Sequence, residues 1–385
     1  MALFFSRDTK VFLKQNDIIW EIPVLDGFSF SQTTNTSEVT LNESRESSAS
    51  TKSRRSKRMF NDSLAPAEWS FSTYIRPIVG TNGTDGWETG NNTNPNRVHS
   101  IEEALWANFV ANNKYTKAST GVAGTWANGV TSASSSTVID FTGSEVSELG
   151  SFELFFSMGS NGKVYKLEKC CVNEASIDFD IDGIATINWT GFSSKISDEG
   201  TSAPSATTTI DEKIANTDNF IRNRLTSLAI TAADSTTFPG ATTNGVYNVT
   251  LTGGNITFTN NITFLTPETL GKVDKPLGHI TGTRNVTGSF TCYLDSTATG
   301  DSDDLFKSLI DAGTAVSNEF DLSFSVGGAN NPKVVFDFNQ CHLEVPTHSI
   351  EDVISLEVNF HALTTSMDPA TTKASYESLI TYSAS

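Results

Sequence analysis

Alternating hydrophobic and polar positions recur in short segments along the chain, separated by turns rich in Gly and Asn. The clearest segments are WSFSTYI from Trp69, SFELFFSMG from Ser151 and KVYKLEKC from Lys163. A period of two places successive side chains on opposite faces of a strand. The pattern therefore predicts a mainly β protein whose sheets bury one face.

The segment IDFDIDGIATINW, residues 177–189, allows two interpretations. Its three aspartates and Gly183 match the first half of a D-x-D-x-D-G calcium loop, but the twelfth position, a bidentate Glu in that motif, is Trp189. A strand that turns at Asp182–Gly183 is favoured, and a calcium-dependent binding module of β-sandwich type remains the alternative. In the strand, Ile177, Phe179 and Ile181 face one way, and Asp178, Asp180 and Asp182 face the other.

Two segments carry the periodicity of a helix. In SIEEALWANFVANN, the pattern predicts Ser100 as the N-cap and Glu103 as its capping-box partner. In DSDDLFKSLIDAG, Asp301 or Ser302 is available as the cap, and Gly313 is expected to end the helix. The predicted buried stripes are Ile101, Ala104, Leu105 and Phe109 in the first helix, and Leu305, Leu309 and Ile310 in the second.

An internal duplication organises these segments. Residues 163–192 align with residues 333–362 without a gap at an offset of 170, which places Cys171 on Cys341. Upstream, shorter segments match in the same order, among them WSFSTYI with GSFTCYL. A fixed internal repeat predicts two copies of one structural unit.

The fold class predicted from these patterns is mainly β (α+β), with two tandem duplicated modules. Each module is expected to be a β-sandwich or partial barrel with one flanking helix. The predicted organisation is a first module over 1–195 with a basic loop at 44–60 and an insertion at 112–150, a linker over 196–220, a second module over 221–366, and a C-terminal tail over 367–385.

Charge and termini exclude several classes of protein. The chain has 44 acidic and 26 basic residues, a net charge of −18, which opposes general affinity for nucleic acid. The N-terminal segment MALFFSRDTKVFLK has too short an apolar run for an export signal, so the protein is predicted to be made in the cytosol without membrane insertion. A surface or pilus-like adhesin, the other alternative, would need such a signal.

Catalytic and metal-binding patterns are thin. The five histidines lack metal-ligand spacing, and neither a G-x-S-x-G elbow nor a phosphate-binding Gly loop is present. The four cysteines suit buried thiols better than a disulfide framework or a zinc site. The sequence therefore predicts a protein that is not an enzyme, with no catalytic, cofactor or metal site.

Three segments resemble the major tail tube proteins of long-tailed bacteriophages, the siphoviruses of the T-five type. They are SKRMFNDSLAPAEWSFSTYIRP, CCVNEASIDFDIDGIATINWTG and GNITFTNNITFLTPETLGKVDKPLGHITGTRNVTGSFTCYL. The resemblance implies a structural virion protein with two fused tube modules. Three such chains would form a pseudo-hexameric ring, and stacked rings would form the hollow tube through which DNA passes during genome ejection.

The resemblance also implies partners and places. The chain would bind copies of itself, the tape-measure protein, the tail terminator and distal tail proteins, with transient passage of double-stranded DNA. Assembly would occur in the cytoplasm of the bacterial host, and the product would be part of the virion tail. The segment 367–385 is expected to lie along a neighbour or on the tube surface.

Two groups of charged residues are candidate sites in such a tube. Acidic side chains would keep DNA from adhering to the channel, and a basic loop would reach an acidic surface of a neighbouring subunit or ring. The acidic candidates for the lumen or its rims are Glu38, Glu43, Asp178, Asp180, Asp182 and Glu268, and the candidates for subunit contacts are Lys52, Arg54, Arg55, Lys57 and Arg58.

Overall fold

A computed structural model confirms the mainly β fold: the part of the chain that it describes contains 27 strands and two α-helices. Within that part, neither helix has the length and apolar character needed to span a membrane. The described residues are 4–39, 58–80, 97–117, 124–141, 148–159, 162–206, 219–232, 242, 245–266, 276–311, 319–350, 352–364 and 377–384.

The first half of the chain contributes sixteen strands and one helix. They are β1 (Thr9–Gln15), β2 (Ile18–Ile22), β3 (Ser29–Ser31), β4 (Thr34–Val39), β5 (Arg58–Leu64), β6 (Ala67–Tyr74), β7 (Pro77–Val79), β8 (Val98–Ser100), α1 (Glu103–Val110), β9 (Tyr115–Thr116), β10 (Thr125–Trp126), β11 (Val130–Ser132), β12 (Thr137–Asp140), β13 (Phe152–Met158), β14 (Val164–Phe179), β15 (Thr186–Ser193) and β16 (Lys195–Asp198).

The second half contributes eleven strands and the other helix. They are β17 (Ser227–Ala232), β18 (Val246–Asn248), β19 (Leu251–Thr259), β20 (Thr263–Leu265), β21 (Gly278–Ile280), β22 (Asn285–Tyr293), α2 (Ser302–Asp311), β23 (Phe320–Val326), β24 (Lys333–Leu343), β25 (Thr347–Ile350), β26 (Ile354–Ala362) and β27 (Leu379–Ser383).

The two halves repeat one order of strand pairings. In the first half, β2–β1–β13–β14 form one antiparallel run and β14–β15–β6–β3 form another. In the second half, the corresponding runs are β18–β17–β23–β24 and β24–β26–β22–β19. A helix precedes β13 in one half and β23 in the other. In each half, one long strand therefore belongs to both runs: β14 in the first half and β24 in the second.

The register of this repeat matches the ungapped alignment in one ladder of the long strand and differs from it by one residue in the other. Phe152 pairs with Cys170 in the first half, and Phe320 pairs with Cys341 in the second. In this ladder Cys170 occupies the position of Cys341, whereas in the ladder to the following strand Cys171 pairs with Phe192 and Cys341 with Ala362, as the alignment predicts. The β13·β14 and β23·β24 ladders both shift register just after their Phe–Cys pair, which is typical of a β-bulge. An ungapped alignment does not detect such a shift.

One continuous sheet crosses both halves. Strands β14 and β19 pair antiparallel over six residues, from Glu174 opposite Thr259 to Phe179 opposite Gly254. The order β3–β6–β15–β14–β19–β22–β26–β25 results, and we call these eight strands the central sheet. In the described part of the chain, it is not closed into a barrel.

A hydrophobic core that both halves share lies behind the central sheet. Near its middle, Trp106 of α1 packs edge-on against Trp189, at 4.8 Å between ring centroids, and against Phe258 of the second half, at 5.3 Å. Every residue of α1 is buried, so the predicted stripe is buried together with the rest of the helix.

The predicted cap of α1 is wrong. Ser100 ends strand β8, and α1 begins at Glu103 without a side-chain cap. The Glu103 carboxylate instead accepts hydrogen bonds from Trp126 Nε1 at 2.7 Å and binds His99 Nδ1 at 2.8 Å. The carboxylate that the sequence pattern predicted to cap the helix therefore binds side chains outside the helix instead.

Helix α2 follows its sequence pattern more closely. The Asp301 carboxylate accepts a hydrogen bond from the backbone N–H of Asp304 at 3.3 Å, as an N-cap does. Leu305 and Leu309 are buried as predicted, whereas Ile310 is 49% exposed, contrary to the prediction. The predicted end at Gly313 lies outside the described residues.

The C-terminal segment returns into the protein's own sheet. Strand β27 lies between β12 of the first half and β24 of the second and pairs with both. Its Ile380 and Tyr382 are fully buried. The expectation that residues 379–383 lie along a neighbour or on the surface is therefore wrong.

The predicted linker begins inside a strand. Lys195–Asp198 forms β16 and pairs with β14, on the edge where β27 pairs with β24 in the other half. The predicted boundary at residue 195 thus cuts a paired element, because the polar composition of the segment resembles a loop.

Candidate assembly surfaces

The central sheet has one apolar and one polar face. In β6, β15, β19, β22, β26 and β14 from Glu174 onward, core residues alternate with Ser, Thr, Asn and acidic side chains. Glu68, Glu174, Asp178 and Glu357 lie on this polar face, and the alternating positions of these strands carry neither Lys nor Arg. The polar face is therefore acidic and rich in hydroxyl groups.

Rows of polar side chains cross the junction between the halves. Asp178 lies opposite Asn255, and Asn255 lies opposite Ser289 on the next strand. Ser72 Oγ donates to Asn188 Oδ1 at 2.6 Å in the first half. The registers thus continue one polar surface over both halves.

The three strand aspartates occupy different positions. Asp178 is exposed on the polar face, as the strand interpretation predicts, and Ile177 and Phe179 face the core. The strand ends at Phe179, where the backbone N–H of Ile181 turns to the Asp180 carboxylate at 2.6 Å. Ile181 is consequently 47% exposed, and its predicted place on the core face is wrong.

The turn after this strand lies at one end of the central sheet. Gly183 has a φ of +102°, which favours glycine, and it confirms the predicted turn. Asp182 is exposed and forms an ion pair with Arg224 at 3.7 Å. Among the described residues, no group of His, Cys, Asp or Glu side chains is arranged to hold a metal ion.

The remaining candidates cluster on or beyond the hairpin β4–β5. Glu38 of β4 is exposed and lies opposite Met59 of β5, and Arg58 is the exposed first residue of β5. These two side chains do not lie beside Asp178, Asp180 and Asp182, which are located at the opposite end of the central sheet. Glu43, Lys52, Arg54, Arg55, Lys57 and Glu268 lie outside the described residues.

The hairpin β20–β21 shows how the second half contacts the first. Ile262 and Phe264 pack with Leu149 and Cys171 in a small cluster outside the main core. His279 Nε2 lies 3.0 Å from the carbonyl oxygen of Leu149. This hairpin therefore supplements the β14·β19 pairing at the junction.

The two end strands of the central sheet are paired on one side. Strand β3 pairs with β6, and β25 pairs with β26, within the described part of the chain. All four residues of β25 are exposed, including Ile350 at 79%. An exposed edge presents backbone N–H and C=O groups to another strand.

Comparison with known proteins agrees with this geometry. The sequence profile of a family described as phage tail tube protein matches residues 25–362, most of the chain. The chain belongs to the phage tail tube protein family. The tail tube protein pb6 of Escherichia phage T5 is 29% identical over 380 residues, which cover 96% of this chain and 74% of pb6.

Membership of the tail tube family confirms the resemblance drawn from the sequence. The chain is a structural component of the phage tail, a tube protein that assembles with itself. This role explains why the described part of the chain exposes a strand edge and a polar sheet face.

A buried polar network joins the two halves behind the sheet of this tail tube protein. Trp106 Nε1 donates to Tyr382 Oη at 2.8 Å, and Tyr382 Oη donates to Glu102 Oε1 at 2.7 Å. Burial raises the pKa of Glu102 to about 8, and the neighbouring Glu103 adds to the rise. Glu102 is therefore mostly a neutral acid at pH 7.

Sequence reasoning missed this network, although one signal for it was present. The segment SLITYS at residues 378–383 alternates apolar and polar positions as a strand does. Nothing in the sequence pairs Tyr382 with Glu102, which lies 280 residues away.

The four cysteines confirm the prediction of buried thiols. Cys170, Cys171, Cys292 and Cys341 are free and buried, and burial raises the pKa of each thiol. Because the thiolate is the reactive form, these residues are packing groups in the tube subunit.

Proposed function

We propose that this protein is the major tail tube subunit and that three copies close into a ring, with rings stacked into a hollow tube for phage DNA. The observation that carries the proposal is the central sheet, whose two halves repeat one topology and whose two end strands pair on one side only within the described residues. Family membership shows that the chain is a tail tube protein, and the geometry of the central sheet supports assembly into a ring.

The β14·β19 pairing inside the chain indicates how neighbouring subunits would contact each other. In the repeat, β14 corresponds to β24 and its continuation β25, and β19 corresponds to β3. Since β14 pairs antiparallel with β19 inside the chain, β25 of one copy would pair antiparallel with β3 of the next. Such head-to-tail contacts close into a ring when the rotation per subunit permits.

The repeat supports the tandem duplication and the pseudo-hexameric symmetry that follows from it. Each chain would supply two equivalent modules, over 1–195 and 221–366, so three chains would present six. Fusion makes half of the junctions internal and covers edges that would otherwise be open.

The polar face of the central sheet would line the channel. Its carboxylates, including Glu68, Glu174, Asp178 and Glu357, would repel DNA phosphates, while Lys or Arg side chains would bind them. Asp180 and Asp182 would lie at the rim. We expect Glu38, Glu43 and Glu268 to contribute to the same acidic field at the rims or lumen.

Electron microscopy tests the proposed ring and tube. Purified protein examined by negative stain is expected to form rings or hollow tubes, and a cryo-EM map is expected to show three chains per ring with the polar face inward. Separate subunits at all concentrations, with neither rings nor tubes, would contradict the proposed assembly. A basic channel wall would contradict the proposed orientation of the sheet.

The basic loop provides a second test. Reversing the charges of Arg54, Arg55, Lys57 and Arg58 is expected to suppress polymerisation, because complementary charge controls capture and register at an interface. Light scattering measures tube growth, and circular dichroism checks that the fold is intact. Reversal at Arg7 and Lys307, two exposed basic residues outside this loop, is the control. Unimpaired growth of the loop variant would contradict this role.

The other partners follow from the proposed role in the tail. Tube length and ends would involve the tape-measure protein, the tail terminator and distal tail proteins, and assembly would take place in the host cytoplasm. We expect the subunit to act without enzymatic activity.

A further inference from the structure

A small cavity opens at the end of the central sheet where β14 and β22 finish. Its volume is about 200 Å³, and its lining includes Phe179, Leu251 and Tyr293. Phe179, the last residue of β14, lies opposite Gly254 near the start of β19, so the cavity lies at the junction between the halves. It therefore combines residues of both halves and has aromatic walls.

Two polar atoms of the lining lack hydrogen-bond partners. Asn223 is 8% exposed, and within the described residues neither its Oδ1 atom nor Thr226 Oγ1 has a partner. A buried acceptor without a donor is unfavourable. The cavity is therefore suited to a ligand that brings N–H or O–H donors.

The charges beside this cavity favour a cation. Asp180 lines the cavity and is exposed, and its carboxylate accepts a hydrogen bond from the backbone N–H of Ile181 at 2.6 Å. Arg224 also lines the cavity, but it forms an ion pair with Asp182 at 3.7 Å, which offsets its charge. Among the described lining residues, Asp180 thus carries the charge that no ion pair compensates.

The walls of the cavity favour an organic cation over a metal ion. Aromatic rings such as those of Phe179 and Tyr293 attract ammonium groups, and an apolar lining covers hydrocarbon. The part of the chain that the structure describes contains no group of His, Cys, Asp or Glu side chains suited to a metal ion. An aliphatic ammonium compound therefore matches the lining.

We propose that the cavity binds an aliphatic diamine, with one ammonium group donating to Asp180 and Asn223 and the hydrocarbon chain against Tyr293. The second ammonium group would be drawn to Asp178, the exposed carboxylate two residues earlier in the chain. Two residues of a strand span about 6.6 Å, a distance that a four-carbon chain covers. The diamine would be a counter-ion for the carboxylates at this end of the sheet. All of these residues belong to one chain, so the site does not depend on the proposed ring.

Calorimetric titration of unassembled subunits with 1,4-diaminobutane tests the site. Wild type is expected to bind this diamine, to bind 1-aminobutane more weakly, and not to bind 1,4-butanediol at the same concentrations. Asp180→Asn is expected to raise the Kd of both amines about tenfold or more, whereas Asp178→Asn is expected to raise that of the diamine alone. Glu68→Gln removes the same charge from the opposite end of the polar face and is the matched control.

Two further variants separate binding from folding. Asn223→Leu removes the unpartnered acceptor and is expected to weaken binding without lowering the thermal unfolding temperature, because that acceptor is unfavourable in the folded protein. Tyr293→Ser is expected to weaken binding, and Tyr293→Phe, which keeps the ring, to preserve it.

Three results would overturn the proposed site. They are binding of the diol as tight as that of the diamine, a wild-type Kd in Asp180→Asn, and an equal loss of affinity in Glu68→Gln, which would show general attraction to an acidic protein. Subunits that bind the diamine but form no rings would refute the proposed function and leave this site in place.

Discussion

Deleting residues 377–385 is expected to remove most of the folding stability of the subunit. The deletion takes away β27, which pairs with β12 and β24, together with the fully buried Ile380 and Tyr382. Truncating one buried side chain of this size typically costs about 2–5 kcal/mol. Domains of ordinary stability have roughly 5–15 kcal/mol in total, so the loss approaches the whole.

The deletion also leaves buried polar groups without partners. Trp106 Nε1 loses its acceptor and Glu102 Oε1 loses its donor, at about 1–3 kcal/mol for each group. Urea unfolding followed by tryptophan fluorescence measures the effect. Thr381→Ser, a conservative change within β27, is the control. A truncated chain with an unchanged midpoint would show that β27 contributes little.

A peptide of residues 377–385 gives an independent check of the same groove. Added to the truncated chain, it is expected to restore the unfolding midpoint as its concentration rises, because ligand binding stabilises the folded state by mass action. A Tyr382→Ala version of the peptide is expected to restore less, since it lacks the hydroxyl that bridges Trp106 and Glu102.

Replacing Glu102 by Gln is expected to remove a large pH dependence of stability. The pKa of Glu102 rises from 4.5 to about 8 in the folded protein, chiefly through burial. The folded state therefore keeps a proton that the unfolded chain releases between these values. Stability from this group is full below pH 4.5, falls as pH rises towards 8 and is lost above it.

The size of this effect follows from the shift in pKa. At about 1.4 kcal/mol per pKa unit, the wild-type protein loses on the order of 5 kcal/mol across the window. Glu102→Gln keeps an acceptor for the Tyr382 hydroxyl and cannot ionise, so it is expected to be the more stable protein at pH 9.

Urea unfolding of unassembled protein at several pH values between 4 and 9 tests this expectation. The quantity of interest is the difference between wild type and variant, which cancels the titration of histidines and other shared groups. Glu357→Gln, on the exposed polar face, is the control and is expected to follow wild type. Parallel curves for wild type and Glu102→Gln would refute an ionisation linked to folding at this site.

Local periodicity predicted the two helices and the main strands of the repeat. Strands such as β6 and β13 alternate clearly, and the apolar stripe of α2 matched Leu305 and Leu309. The repeat of topology also agrees with the order of matching segments in the sequence. These features depend on neighbours within a few residues, so a single sequence carries them.

Features set by distant contacts were not predictable in the same way. Glu103 has the spacing of a capping box, but its carboxylate binds His99 and Trp126 instead. Ile181 continues an alternating pattern, yet the chain leaves the sheet before it. The pairing of β27 with β12 depends on contacts 245 residues apart, between Tyr382 and Thr137, and local pattern does not encode them.

For the candidate assembly surfaces, the sequence predicted which residues are charged but not how they are arranged in space. Asp178 was placed on a polar strand face from alternation alone, whereas nothing in the sequence indicated the exposure of Tyr293 and Phe60. Their positions toward opposite ends of one sheet come from strand registers that the sequence does not state.

The β14·β19 junction also bears on the rate at which tubes begin. Its two strands belong to one chain, so dilution does not separate them, whereas the proposed β25·β3 seams would form by collision. Nucleation of the proposed three-chain ring would then depend on about the third power of subunit concentration, in place of the sixth power for six separate modules. When a finished tube is stretched or bent, the collision-formed seams are where it would first part.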